Sequence, residues 1–188
     1  MRRRLRDMPT REQLDQLYAT PHQHAAWGDH RIRVDVTAAL AGHLFSGGHT
    51  IADLSCGDAA IARRVAARHG GNLILGDYAP GYEYTGPIEK TIRFLRWRQA
   101  HLFICSETIE HLDDPDAVLK LIRDKAEHLI LSTPDGEDND HNPEHVWAWD
   151  AEAVEQMLKV AGFQPVVHTT LDLRPAGFTY SYQIWGCR

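Results

Sequence analysis

The chain has 188 residues, 43% of them hydrophobic and 24% charged, which suits one soluble domain with a full-sized core. No apolar run approaches the ~20 residues that span a bilayer, and no apolar stretch follows the basic start MRRRLRDMPT, so neither a transmembrane helix, a secretory signal nor a membrane partner is expected. A formal net charge of −6 counts against a large nucleic-acid surface, and three cysteines without a CxxC pair (Cys56, Cys105, Cys187) point to a reducing cytoplasm, with no disulfide framework or thiolate zinc site.

In chain order, Arg2, Arg3, Arg4 and Arg6 form either a local basic patch or a solvated, poorly ordered terminus, and the second reading is preferred. TREQ (10–13) is a capping-box pattern that starts a short helix carrying Leu14, Leu17 and Tyr18, and Pro21 ends it. A second helix is expected over 29–44, with Ile32, Val36, Leu40 and Leu44 spaced by four and SGG closing it. Strands and helices then alternate. HTIADLS is a buried strand, DAAIARRVAARHGG a helix, NLILGD a strand and YEYTG a weaker one. PIEKTIRFLRWRQ is helical with Pro87 in the first turn, and HLFICSE is a strand. DDPDAVLKLIRDKAEHL is a helix with Val118, Leu121 and Ile122 inward. LILSTPD is a strand, and AEAVEQMLKVAG carries Val154, Met157, Leu158 and Ala161 on one stripe. FQPVVHTTLDLR and FTYSYQIWGCR close the chain as a hairpin.

This alternation predicts an α/β fold: a doubly wound, mainly parallel, Rossmann-like sheet with N-terminal helices and a C-terminal antiparallel hairpin. It is read as a single domain, 1–188, with an N-terminal helical lid over 1–46 and a cofactor-binding core over 47–188. Ligands are expected outside the carboxyl ends of the strands.

The first core strand runs through DLSCGDA (53–59) straight into a helix. Ser55, Gly57 and Ala59 are small enough to let a ligand approach the backbone, but two glycines of a dinucleotide loop are replaced, by Ser55 and Ala59, which argues against a dehydrogenase. Asp77 ends the second strand about twenty residues on, where a carboxylate can accept from both hydroxyls of a ribose; its plain alternative is a turn residue in GDYAPG. Together the two features indicate an adenosine-type cofactor.

The series IADLSCGDAAIARRVA, LILGDYAP, FICSETIEHLDDPDAVL and LILSTPDGE, over roughly residues 49 to 165, resembles the motif order of class I S-adenosylmethionine-dependent methyltransferases. That resemblance implies that Asp53, Ser55, Cys56 and Gly57 hold the methionine part of S-adenosylmethionine, and that Asp77, with Tyr78 beside it, holds the ribose. It also implies that Gly86, Pro87 and Ile88 lie against the adenine and that Glu107 follows the fourth strand into the site. One departure is expected: the chain after Asp77 leaves little room for the usual helix, so a loop replaces it and the pocket is open there or covered by Tyr82 and Tyr84.

Glu107, Glu110 and His111 in SETIEHLDDP are spaced i, i+3, i+4, which one helical turn would aim the same way. Two carboxylates and an imidazole suit Mg2+ or Mn2+, with a fourth ligand from the loop DGEDNDHNPEHVWAWD, His145 first and His141 second. The pattern resembles the metal-dependent methyltransferases that modify the terminal ribose of small RNAs, and the O-methyltransferases of ubiquinone biosynthesis. These resemblances imply Glu107, Glu110, His111 and His145 as ligands of a cation that binds neighbouring substrate oxygens. Without a metal, His111 or His145 is the candidate general base. His22 and His24 either face the site or are surface residues around Tyr18 and Trp27, and Trp147 and Trp149 either stack on a substrate or anchor their loop. The expected function is methyl transfer to a hydroxyl of a small-molecule acceptor. The alternatives are methylation of an RNA or DNA end or nucleotide, and a non-catalytic cofactor-binding module.

Overall fold

A computed structural model describes residues 1–188 except Gln23, Gly48, 137–139 and His141. Nine strands and six α-helices are formed by the described residues. Seven strands make the central sheet: β2 (Thr50–Asp53), β3 (Asn72–Asp77), β4 (Tyr84–Thr85), β5 (Ala100–Ser106), β6 (Ala126–Pro134), β8 (Pro165–Asp172) and β9 (Ser181–Cys187). Their spatial order is β4-β3-β2-β5-β6-β9-β8, parallel through β6 and antiparallel where β9 enters between β6 and β8. This is the mainly parallel sheet with a terminal hairpin that the alternating pattern predicts.

The pleat sends alternate residues to opposite faces. Leu102 and Ile104 of β5 meet Ile51, Ile130 and Ile184 in one cluster, covered by Val34, Ala38 and Ala41 of α2 (Gly28–Ala41) and Ile61, Ala62 and Val65 of α3 (Ala60–His69). Phe103 and Cys105 point the other way, into a core closed by α4 (Ile88–Thr91), α5 (Pro115–Lys125) and α6 (Ala151–Val160). Asp114 and Asp150 cap α5 and α6 by accepting from the amides of Ala117 and Ala153. The capping box at Thr10 and Gln13 forms as expected and starts α1 (Arg11–Leu17).

Several boundaries differ from the pattern. α2 buries Arg33, Val34, Thr37, Ala38 and Ala41, while Ile32 is exposed and Val36 and Leu40 lie on the flank. Small residues let this helix lie close to the sheet, so the four-residue spacing of larger side chains misplaces its inner face. In α5 Leu119, not Leu121, joins Val118 and Ile122, and the helix stops at Lys125, where β6 begins. The helix at Pro87 is only one turn of α followed by a 3-10 turn over Ile92–Phe94.

Between β3 and β4 residues 78–83 form no helix, as expected, and Gly86 N closes this loop on Asp77 O at 2.9 Å. Such a short parallel connection forces the strands together. A Cβ on Gly76 would lie 2.6 Å from Tyr84 O, so only glycine fits.

The arginine-rich terminus departs most from expectation. It forms β1 (Arg2–Arg4), paired antiparallel with β7 (Trp147–Trp149). The Arg2 guanidinium stacks 4.4 Å from the Trp147 ring centre and pairs with Asp116, and Arg4 reaches Asp113 at 2.8 Å. Cation–π contacts and ion pairs stand here in place of an apolar alternation.

Candidate active site

Asp53 ends β2, Asp77 ends β3 and Ser106 ends β5, and a cavity of about 520 Å³ opens above these carboxyl ends. Its size falls within the range of small-molecule sites. α1 and the 3-10 turn His24–Ala26 cover it from above.

At one end, the loop after β2 is tied down by its own side chains. Asp77 Oδ2 accepts from Gly57 N at 2.7 Å and Oδ1 accepts from Ala79 N at 2.9 Å. Each oxygen keeps a second lone pair, so the carboxylate remains able to accept from a ligand hydroxyl. Gly57 has φ +53°, and a Cβ there would meet His24 Nδ1 at 2.7 Å, so the His24 ring rests directly on this loop. Asp53 is almost fully buried, accepts from Ser55 N at 3.3 Å, and burial pushes its carboxyl up to about 8. Ser55 Oγ lies 2.7 Å from Thr108 Oγ1, tying the loop to the segment after β5. Burial also raises the Cys56 thiol, which favours its protonated form. Tyr78, Pro87 and Ile88 line the cavity, whereas Gly86 does not. Tyr82 lines it too and donates to Gly57 O at 2.9 Å, while Tyr84 packs toward Phe94 and the core.

The far end holds the acidic and imidazole groups. Glu107 has φ +51°, and a 3-10 turn begins only at Ile109, so residues 107–111 are not one helical turn. Glu107 therefore points away: its Oε1 accepts from Ser132 Oγ at 2.9 Å and sits 4.0 Å from Arg33 Nε. Glu110, His111 and His145 come together instead, with one ligating atom from each within 4.8 Å of the others. His141 lies outside the described residues.

Glu110 is wholly buried. Its Oε2 accepts from Thr133 Oγ1 at 2.9 Å, and that hydroxyl accepts from Trp149 Nε1 at 3.0 Å. Its Oε1 has no hydrogen-bond partner among the described residues, and burial, with the charge of Glu107, holds the carboxyl above its ordinary value. His111 Nδ1 lies 3.0 Å from Glu144 O; a carbonyl only accepts, so Nδ1 carries the proton and Nε2 presents its lone pair. Burial depresses this imidazole to about 3, with His145 adding to the effect. His145 behaves oppositely. Burial pulls it down, but its Nδ1 hydrogen bond to Asp140 and the charge of Glu110 lift it above the usual value. Asn142 Nδ2 lies 3.1 Å from His145 Nε2.

A buried carboxylate oxygen without a donor, next to two imidazoles whose Nδ1 atoms are held by a carbonyl and a carboxylate, is a donor set that fits a divalent cation. The tryptophans play the anchoring role: Trp149 is core, Trp147 Nε1 donates to Leu112 O, and neither lines the cavity. His22 and His24 do line it, with Nε2 and Nδ1 respectively lacking hydrogen bonds among the described residues.

Sequence reasoning missed several lining or supporting residues. Arg33 donates to Ser106 Oγ at 2.5 Å and lies 3.0 Å from His30 Nδ1, and Tyr182 donates to Asp29 at 2.9 Å. Asp140 accepts from Tyr180 Oη at 3.1 Å while holding His145. Only Asp140 left a signal, a carboxylate five residues before the loop histidine.

No protein-family model matches the chain, and no curated protein sequence does. Solved structures do match. A 1,6-didemethyltoxoflavin-N1-methyltransferase of Burkholderia thailandensis, with S-adenosylhomocysteine bound, aligns over 97% of this chain and 92% of its own at 14% identity and TM-score 0.70. A SAM-dependent methyltransferase from Archaeoglobus fulgidus aligns over 83% and 94% at 15% identity and TM-score 0.65. The [4+2]-cyclase SpnF aligns over 82% and 80% at 12% identity and TM-score 0.64. The chain has the Rossmann-like fold of class I methyltransferases, and the cyclase shows that this fold carries other chemistry as well.

Proposed function

We propose that the protein is an S-adenosylmethionine-dependent methyltransferase that methylates a hydroxyl of a small molecule with the help of a divalent cation. The observation that carries this reading is one continuous cavity whose lining runs from Asp53 and Asp77 to His111 and His145. Cofactor and acceptor would share it, with the ribose against Asp77, the adenine against Pro87 and Ile88, and the methionine end among Asp53, Ser55, Cys56, Gly57 and Glu107.

S-adenosylmethionine supplies an electrophilic methyl on its sulfonium, and a cation held by Glu110, His111 and His145 would lower the pKa of an acceptor hydroxyl. The chain's own residues set the geometry. Thr133 and Trp149 fix Glu110, the Glu144 carbonyl fixes the His111 tautomer, and Asp140 orients His145. Lid residues Tyr18 and His22, gathered on Glu144, shut water from the acceptor end. The low basicity of His111 suits a ligand better than a general base, whose pKa should lie near the working pH.

The Asp140–His145 pair favours a second reading, in which His145 takes the hydroxyl proton with no cation present. Incubation with S-adenosylmethionine and a panel of catechols and vicinal diols, with manganese or with chelator, separates the two. Methylated product only with manganese supports the first reading, equal product in chelator supports the second, and no product across the panel counts against both.

A further inference from the structure

The segment joining α4 to β5, RFLRWRQ (93–99), has no part in the cavity. It carries Phe94 and Trp97, 73% and 72% exposed, the most exposed large apolar side chains among the described residues. Their exposure does not come from a slack loop. Leu95 between them is buried, and Lys125 Nζ donates to its carbonyl at 2.7 Å. Arg96 N donates to Gln99 Oε1 at 2.8 Å and Arg98 N to Asp124 O at 2.9 Å. Arg98 adopts φ +48°, a conformation that non-glycine residues seldom take. The backbone is thus pinned with both aromatic rings turned outward.

Beside them in the chain stand three exposed cations, Arg93, Arg96 and Arg98, with the Arg98 guanidinium 5.4 Å from the centre of the Trp97 ring. Asp124 is the flanking acid, while Glu89, one turn before Arg93, lines the cavity. In a chain of net charge −6 this is a local excess of positive charge set on exposed aromatic surface. β5 starts at Ala100, just past the segment, and reaches the cavity at Ser106, so the segment enters the sheet at the amino end of β5.

We propose that this tip docks on an anionic phospholipid bilayer, with Phe94 and Trp97 entering the headgroup boundary and the three arginines meeting lipid phosphates. Aromatic side chains favour that boundary, and basic residues beside it are drawn to anionic lipid. A single-stranded nucleic acid fits less well, because it needs a groove that tracks its backbone, and rings this exposed have no walls around them. The inference revises the expectation that the chain has no membrane partner.

The test is cosedimentation of the full chain with vesicles of phosphatidylcholine alone, or of equal parts phosphatidylcholine and phosphatidylserine. Binding is expected only to the anionic vesicles and should fall as salt rises. The Phe94→Ala/Trp97→Ala variant, altered only at exposed positions and checked by an unchanged thermal melt, should bind about tenfold or more weakly. Arg96→Gln/Arg98→Gln should lose about fivefold for each charge. A blue shift of Trp97 emission, isolated by subtracting a Trp97→Phe variant, should accompany binding. The proposal is overturned if the chain ignores anionic vesicles at low salt, if the alanine variant binds as well as the parent, or if oligouridylate binds through these residues while vesicles do not.

Discussion

Glu110 Oε1 and His111 Nε2 face each other across 3.8 Å, and the carboxylate oxygen has no hydrogen-bond donor among the described residues. A buried oxygen left so is costly, by roughly 1–3 kcal/mol or more for a charged group. A ligand that supplies positive charge removes the cost. The neighbouring His145, held by Asp140, completes a set of three.

The Glu110→Gln variant is therefore expected to lose manganese binding while melting at about the same temperature as the metal-free parent, because the amide keeps the shape of a carboxyl that burial already holds toward its neutral form. Calorimetric titration with manganese and a thermal melt of each protein check this. A manganese heat that survives the substitution would remove Glu110 from the site.

Asp77 should govern cofactor affinity. Its carboxylate already accepts from Gly57 N and Ala79 N and would accept from ribose hydroxyls through its remaining lone pairs. Losing charged hydrogen bonds of this kind costs roughly 1.5–3 kcal/mol. Asp77→Ala should weaken S-adenosylhomocysteine binding about tenfold to a hundredfold, with Asp77→Asn in between, and the domain should remain folded. Unchanged affinity in a fluorescence titration would refute the ribose assignment.

Asp53 gives the stability a pH dependence. Unfolded, its carboxyl titrates near 3.8; folded, burial raises it to about 8, so the native state keeps a proton that the unfolded chain loses. Its contribution is fully present below the lower value and is lost as pH rises toward the upper one, at up to about 1.4 kcal/mol per pH unit. Melting temperatures measured from pH 5 to 8 should fall more steeply for the parent than for Asp53→Asn. Equal slopes would show that Asp53 is not the group responsible.

The central sheet was legible because apolar runs alternate with capped helices, and the short stretch after Asp77 announced the missing helix. What the sequence concealed lay in interactions between distant segments. Three consecutive arginines carry no strand pattern, and β1 exists because Trp147, Asp113 and Asp116 are there to receive them. The face of α2 was misjudged because Arg33 and Thr37 are buried by the cavity and the sheet, where spacing of large apolar residues gives no warning. Glu110, His111 and His145 could be picked from spacing and loop position. The separation of Glu107 from them follows from one left-handed residue, which no side-chain pattern reveals. Asp140 and Thr133 act through other side chains and left little trace in a single sequence.

Calorimetric titration of the chelator-treated protein with S-adenosylhomocysteine, first alone and then with manganese, tests the central claim most directly. Binding near one-to-one is expected in both conditions, with a separate manganese heat. No binding of the nucleoside in either condition would contradict the methyltransferase reading, leaving a Rossmann-like domain with a different ligand.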